Sequence, residues 1–236
     1  MLLIWHGLHL ILIGFFIARG LAKWMGLHFG INFNHPYIST SLREFWSRWH
    51  ISLSTWFRDY VYIPIGGSRK GKLRSHINMW ITMIVSGFWH GASWTFVIWG
   101  ALHAFYLSLE RVLKHHILLS KIPFGRPIAL ILVLFQVLIA WVFFRADSFQ
   151  QAMAIIGHML AFNLDTNWGD YSTFMISLRY IVIGVLIEIS FFVGLNHYKP
   201  FSKPVRKYLQ TIQFVILIIL IIFFRGEGQE FIYFQF

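Results

Sequence analysis

The sequence predicts an all-α fold, a polytopic bundle of membrane helices with interfacial or re-entrant helices, and three observations predict it. Hydrophobic residues make up 57% of the chain and charged residues only 12%, against roughly 25% charged in an ordinary soluble domain. Apolar runs at 1–18, 77–109, 127–144, 172–194 and 208–224 approach or exceed the about 20 residues that cross a hydrocarbon core of about 30 Å. Lys and Arg gather between those runs rather than within them, so the net charge of +11 is read as membrane topology and no nucleic-acid partner is expected. The 236 residues are taken as a single membrane domain, 1–236, multi-pass in the inner (plasma) membrane, with the lipid bilayer as its first partner.

The run 1–18 has no basic n-region and no small-residue cleavage site, and it carries His6 and His9. It therefore reads as a retained span rather than a signal peptide. The segment 39–60 is too polar to cross freely and too aromatic for an ordinary loop. Ser41 with Glu44 three residues on resembles a capping box, and Trp46, Trp49 and Trp56 suit a membrane interface. Two readings follow: a helix lying on the membrane, or one that turns Arg43, Arg48, His50, Arg58 and Asp59 inward to build a polar cavity. Gly66-Gly67-Ser68-Arg69-Lys70-Gly71 reads as an interfacial loop, since no strand precedes it to make a nucleotide cradle.

The run 77–109 has 33 residues, about 50 Å of helix at 1.5 Å per residue. That is too long for one upright pass and short for two. A break near Gly87, Gly91 or Gly100 resolves it, or a steep tilt. Basic loops at 69–74, 111–126 and 199–207 contrast with 146–171, which holds Asp147, Asp165 and Asp170 and no Lys or Arg. If the basic loops are cytoplasmic, 146–171 and the tail with Glu227 and Glu230 lie outside, and the alternation closes only when 77–109 crosses twice.

Cysteine is absent, which excludes disulfides, thiolate catalysis and thiolate metal sites. Attention falls on His90, set in the apolar run Gly87-Phe88-Trp89-His90-Gly91, because an ionisable group among membrane-facing residues ordinarily pairs, lines a cavity or does chemistry. Trp89 and Trp94 are possible walls for it, although packing is the commoner role of such aromatics. His6 and His9 share a helix face but have no carboxylate or third ligand, so no metal site is expected. His103, in Gly100-Ala101-Leu102-His103-Ala104, is read as structural, with the same cavity as the alternative. His115-His116 is read as solvated, and Glu188 as a structural acid needing Arg179 or a polar neighbour.

Asn34-His35-Pro36-Tyr37, the stretch from Arg43-Glu44-Phe45-Trp46-Ser47-Arg48-Trp49-His50 through Asp59-Tyr60 to Gly71, Gly87-Phe88-Trp89-His90-Gly91, Trp141-Val142-Phe143-Phe144-Arg145-Ala146 and the terminal Phe231-Ile232-Tyr233-Phe234-Gln235-Phe236 occur in an order that resembles the membrane-bound O-acyltransferase family. The subgroup they resemble is the bacterial one that O-acetylates alginate and other exported polysaccharides. Related D-alanine transferases of teichoic acid share the histidine pair, but the short Gly66–Gly71 turn favours the polysaccharide branch. Members of the family are much longer, with further spans before the Asn-x-Pro-Tyr region, and a Phe-Ser-Gly-Tyr stretch stands where this chain has Ile11–Phe16. The chain thus reads as a C-terminal portion, expected to be inactive without the missing spans.

The resemblance implies a catalytic pair, His90 and His50. Acyl transfer to a hydroxyl needs a base for the hydroxyl proton and a donor for the oxyanion on the attacked thioester carbonyl. A buried imidazole stays neutral because desolvation disfavours its charged form, which makes His90 the expected base, with His50 orienting the acceptor or assisting proton transfer. Both rings are expected to line one polar tunnel. No bound cofactor is expected. The substrates implied are an acyl thioester donor, such as acetyl-CoA or an acyl carrier, and a glycan acceptor, with further partner proteins of a polysaccharide-modification system. The alternatives are D-alanyl transfer to teichoic acid, or a non-catalytic conduit or assembly subunit for cell-surface glycan modification. The enzyme and the conduit both predict a polar tunnel, and His90→Ala in a full assembly discriminates them.

Overall fold

The computed structural model describes residue 15, residues 18–113, 119 and 121–161, and positions 205, 208, 211, 212 and 215. The chain divides into two compact units, 1–181 and 182–236, and the fold below is that of the first. Nearly all of the runs 1–18, 172–194 and 208–224 lies outside the described residues, as do His6, His9, His115, His116, Arg179, Glu188 and the terminal Phe231–Phe236.

The fold is all-α, and among the described residues there is no strand. A short helix α1 (18–24) leads through an irregular segment to a 3-10 turn at Pro36–Ile38. Two short helices follow, α2 (Leu42–Arg48) and α3 (Ile51–Phe57), then a π-helical turn at Arg58–Tyr62. The long elements are α4 (Lys72–Trp89), α5 (Trp94–Leu113) and α6 (Gly125–Arg145), and α7 (Phe149–Ala161) closes the unit. Helices α5 and α6 are each long and apolar enough to cross a membrane. Both also keep large apolar side chains exposed, among them Phe105, Ile131 and Phe135.

The run 77–109 resolves as a break and not as one tilted helix. Helix α4 ends at Trp89, and Ser93 starts α5 by N-capping, its hydroxyl accepting from the Thr95 backbone N–H at 3.3 Å. The two helices then lie antiparallel and very close. A Cβ added to Gly87 would overlap the carbonyl oxygen of Phe96, and one added to Gly100 would overlap that of Met83. Trp80 Nε1 donates to Ser108 Oγ at 2.9 Å further along the hairpin, and Arg111 Nη1 donates to Ser75 Oγ at 3.4 Å near its open end. The basic residues 69–74 and Arg111 therefore share one end of the hairpin. His90 sits at the other end, about 27 Å away along the 18 residues of α4. Helix α6 packs antiparallel on α5, with Phe144 near its C-terminus against Phe96 and Trp99 at the start of α5.

Sequence capping predicts α2 well. Ser41 Oγ accepts from the Glu44 N–H at 3.0 Å, and Glu44 reaches back to the Thr40 N–H at 2.9 Å. The segment 39–60 nevertheless differs from a single amphipathic helix, because His50 takes a left-handed conformation (φ 44, ψ 55) that ends one helix and begins the next. Its inward face carries Leu42, Phe45, Trp46 and Trp49, which join the core around Trp99, Val137 and Trp141.

The inward-cation reading of this segment is corrected. Arg43 is exposed, as are Arg58 and Asp59, which pair with each other at 2.8 Å. Arg48 is half-buried and bonds Glu44 at 2.9 Å. Charge stays at the surface because each of these side chains finds water or an adjacent counter-ion more cheaply than a core partner.

One buried acid does reach inward, and it comes from α5. Glu110 Oε2 accepts from the Leu42 N–H at 2.6 Å, across 68 positions of sequence, and so ties the first turn of α2 to α5. Removing the acceptor leaves a buried N–H unpaired. Glu110→Ala is expected to lower unfolding stability in detergent by about 1–3 kcal/mol, and Glu110→Gln, which keeps an oxygen, by less. Tryptophan fluorescence during denaturant unfolding measures both, and equal losses would show that the hydrogen bond is not what holds α2.

Candidate active site

His50 is built by a polar frame between residues 32–34 and 48–52. The Ile51 N–H donates to the Asn32 carbonyl at 2.8 Å, and the Asn34 N–H to the Arg48 carbonyl at 2.9 Å. The buried Asn32 side chain then orders the ring. Its Oδ1 accepts from the Ser52 backbone N–H at 2.8 Å and from Ser52 Oγ at 2.9 Å. Because a backbone N–H can only donate, that oxygen is fixed, and Nδ2 faces His50 Nδ1 at 3.4 Å as a donor. In the tautomer that carries its proton on Nε2, Nδ1 accepts this contact and Nε2–H is the donor at the other edge of the ring. Burial also lowers the pKa of His50 from its ordinary 6.5, because desolvation disfavours the charged form.

His90 occupies the turn of the α4–α5 hairpin with ordinary right-handed geometry (φ −79, ψ −17). Its half-buried ring meets Phe144 at 4.8 Å, Trp89 at 4.9 Å and Trp99 at 5.2 Å, each edge to face. The two tryptophans weighed as walls do not enclose it, although Trp89 touches the ring. Trp89 is 54% and Trp94 78% exposed. Trp99, 3% exposed, and Phe144 do the enclosing. Both rings border one aromatic core, His90 through Trp99 and Phe144 and His50 through Phe33, which packs on Trp49 at 4.8 Å.

Sequence segments that lie far apart converge here. Tyr37 and Phe45 meet Trp141 at 6.4 and 6.3 Å, Trp49 meets it at 5.3 Å, and Trp46 meets Trp99 at 5.9 Å. The core thus joins the 34–37, 43–50 and 141–146 segments to the turn that carries His90. Asn32 and Glu110 are the residues that sequence reasoning missed. Neither sits in an apolar run conspicuous enough to stand out, and their partners lie 20 and 68 positions away.

With this geometry in place, comparison with known proteins is direct. The family model for the membrane-bound O-acyltransferase family matches residues 1–149, which include both histidines and Phe144. The chain is 42% identical over 176 residues to the probable alginate O-acetylase AlgI of Azotobacter vinelandii, covering 72% of this chain and 35% of that protein. It is 38% identical over 192 residues to the probable alginate O-acetylase AlgI of Pseudomonas putida, covering 81% and 39%. It is also 37% identical over 147 residues to the peptidoglycan O-acetyltransferase of Helicobacter pylori, covering 62% and 28%. The aligned portion thus covers only 28% to 39% of each relative's length. The convergence of the motifs on His90 and His50, the all-α fold and these likenesses together establish that the chain belongs to the membrane-bound O-acyltransferase family.

Proposed function

We propose that this chain forms the catalytic portion of an O-acyltransferase that moves an acetyl group from a thioester donor to a hydroxyl of an exported polysaccharide. The observation that carries the reading is that His50 and His90, held on separate elements, border one aromatic core, with His90 half-buried against Trp99 and Phe144 and His50 against Phe33. The names of the relatives, two alginate O-acetylases and a peptidoglycan O-acetyltransferase, support a glycan acceptor. His90 lies at the end of the hairpin away from the basic loops, and with those loops cytoplasmic this is the outward side of an inner membrane, where an exported glycan passes. The thioester, from acetyl-CoA or an acyl carrier, comes from the opposite side. Spans beyond this portion and other proteins of the modification system complete the enzyme.

In the proposed step His90 takes the proton of the acceptor hydroxyl as its oxygen attacks the thioester carbonyl. The C–O bond forms, the C–S bond breaks, and the thiolate leaves and takes up a proton. In this step His50, with its proton on Nε2, is the donor that stabilises negative charge on the attacked oxygen.

His50→Asn is the informative variant, since Asn tolerates the left-handed conformation that most residues avoid. It is expected to lower kcat by about 10²-fold, as removal of one oxyanion donor does. The assay is acetyl-ester formation on the acceptor glycan by the chain assembled with its missing spans. An unchanged kcat would remove His50 from the reaction.

Stability should also depend on pH through this residue. Its folded-state pKa lies below 6.5, so its contribution is present above the unfolded value and is lost as pH falls through the folded one. Unfolding curves from pH 7.5 down to 5 should show His50→Asn losing less stability on acidification than the natural chain. Parallel losses would show that the ring is free to charge.

A further inference from the structure

Among the described residues, His103 is the least accounted-for buried polar group. It is 0% exposed, and neither ring nitrogen has a hydrogen-bond partner. Trp46 Nε1 and Trp99 Nε1 beside it are likewise buried and unpartnered. The three rings contact one another edge to face: Trp46 to His103 at 5.0 Å, Trp99 to His103 at 4.9 Å and Trp46 to Trp99 at 5.9 Å. Trp99 is at the same time the edge-to-face neighbour of His90 at 5.2 Å. The contacts make a continuous ladder from α2 through His103 and Trp99 to His90.

An imidazole buried without conventional hydrogen bonds is a poor choice for stability alone. Desolvating a polar group that finds no partner is unfavourable, and a phenyl ring of similar shape fills the same space without that penalty. Edge-to-face packing against Trp46 and Trp99 is the contact left to the imidazole. Such contacts prefer particular ring orientations, so the imidazole with its polar edge constrains the rotation of Trp99. Sites at which a chain departs from the locally stable choice are where function is expected to reside.

We propose that His103 is a positioning residue of the transfer reaction, fixing through Trp99 the orientation in which the His90 imidazole meets the acceptor hydroxyl. His103 itself does not touch the substrate. The inference rests on the acyltransferase reading given above, and the test separates the two.

Four forms of the chain, assembled with its missing spans, are assayed for glycan acetylation and for thermal unfolding: natural, His90→Ala, His103→Phe and His103→Gln. Phe keeps the ring and loses the N–H, whereas Gln keeps an N–H and loses the ring. His103→Phe is expected to reduce kcat at least about tenfold with KM changed less than about twofold, while Tm stays level or rises. His103→Gln is expected to retain more kcat than His103→Phe despite poorer packing. A merely structural histidine moves stability and activity down together and gives the opposite order.

Natural kcat in His103→Phe, or a higher kcat in His103→Phe than in His103→Gln, overturns the proposal, and the second comparison decides even where the Phe variant folds poorly. Full activity in His90→Ala instead overturns the acyltransferase mechanism itself.

Discussion

Replacing His90 by Ala in the assembled enzyme is expected to lower acetyl transfer by about 10²–10⁴-fold, the contribution of a well-placed general base. The backbone at His90 has φ −79 and ψ −17, which Ala adopts without strain, so the α4–α5 turn survives the change. What is lost is the imidazole and its ring contacts with Trp99, Phe144 and Trp89. Because that side chain is only half-buried, the stability loss is expected to stay well below the 3–5 kcal/mol of a fully buried aromatic truncation. The measurement is ester formation under saturating donor, beside a thermal melt of the same preparation. A conduit or scaffold would keep its output in this variant, and retained transfer with an intact melt would remove the base assignment.

Much of this is legible in the sequence, for physical reasons that can be named. The run 127–144 forms α6 almost to the residue, because a long apolar stretch has few alternatives to a helix that satisfies its own backbone. Ser41 caps α2 through the Glu44 N–H because both lie within one turn, while the Glu44 carboxylate bonds the N–H of Thr40 rather than that of Ser41. The length of 77–109 demands either a break or a tilt, and the break falls beside Gly91, between Trp89 and Trp94.

What is not legible depends on long-range partners. Nothing local announces that Glu110 bonds the Leu42 N–H, that Asn32 packs its amide against His50, or that Trp99 rather than Trp94 encloses His90. Local rules also miss the left-handed backbone at His50: histidine is among the residues enriched there, but only the Asn32 frame marks the position. The expected inward cations fail for a related reason. Arg58 has its counter-ion at the next residue, and a neighbour in sequence satisfies it without burial.

The hairpin that carries His90 makes its own prediction, through two glycines that sit on helices in opposite circumstances. Glycine within a helix is ordinarily about 1 kcal/mol worse than alanine. A Cβ added to Gly157 in α7 would meet nothing within 4 Å, so Gly157→Ala should follow that rule and stabilise the unit by up to about 1 kcal/mol. Gly100 in α5 has the carbonyl oxygen of Met83 where its Cβ would stand, with Ile84 Cα only 3.2 Å away. Both obstacles are backbone atoms of α4, and they yield only if the helices separate. Gly100→Ala should therefore destabilise by about 1–3 kcal/mol or more, the range of overpacked sites, reversing the propensity gain. Trp99 precedes it and bears on both His90 and His103, so the same displacement reaches the site, and activity at temperatures where the variant is still folded should fall with it. Opposite signs for the two substitutions in denaturant unfolding are the expected result. A stabilising Gly100→Ala would mean that α4 and α5 do not approach this closely, and the enclosure of His90 by Trp99 would have to be abandoned with it.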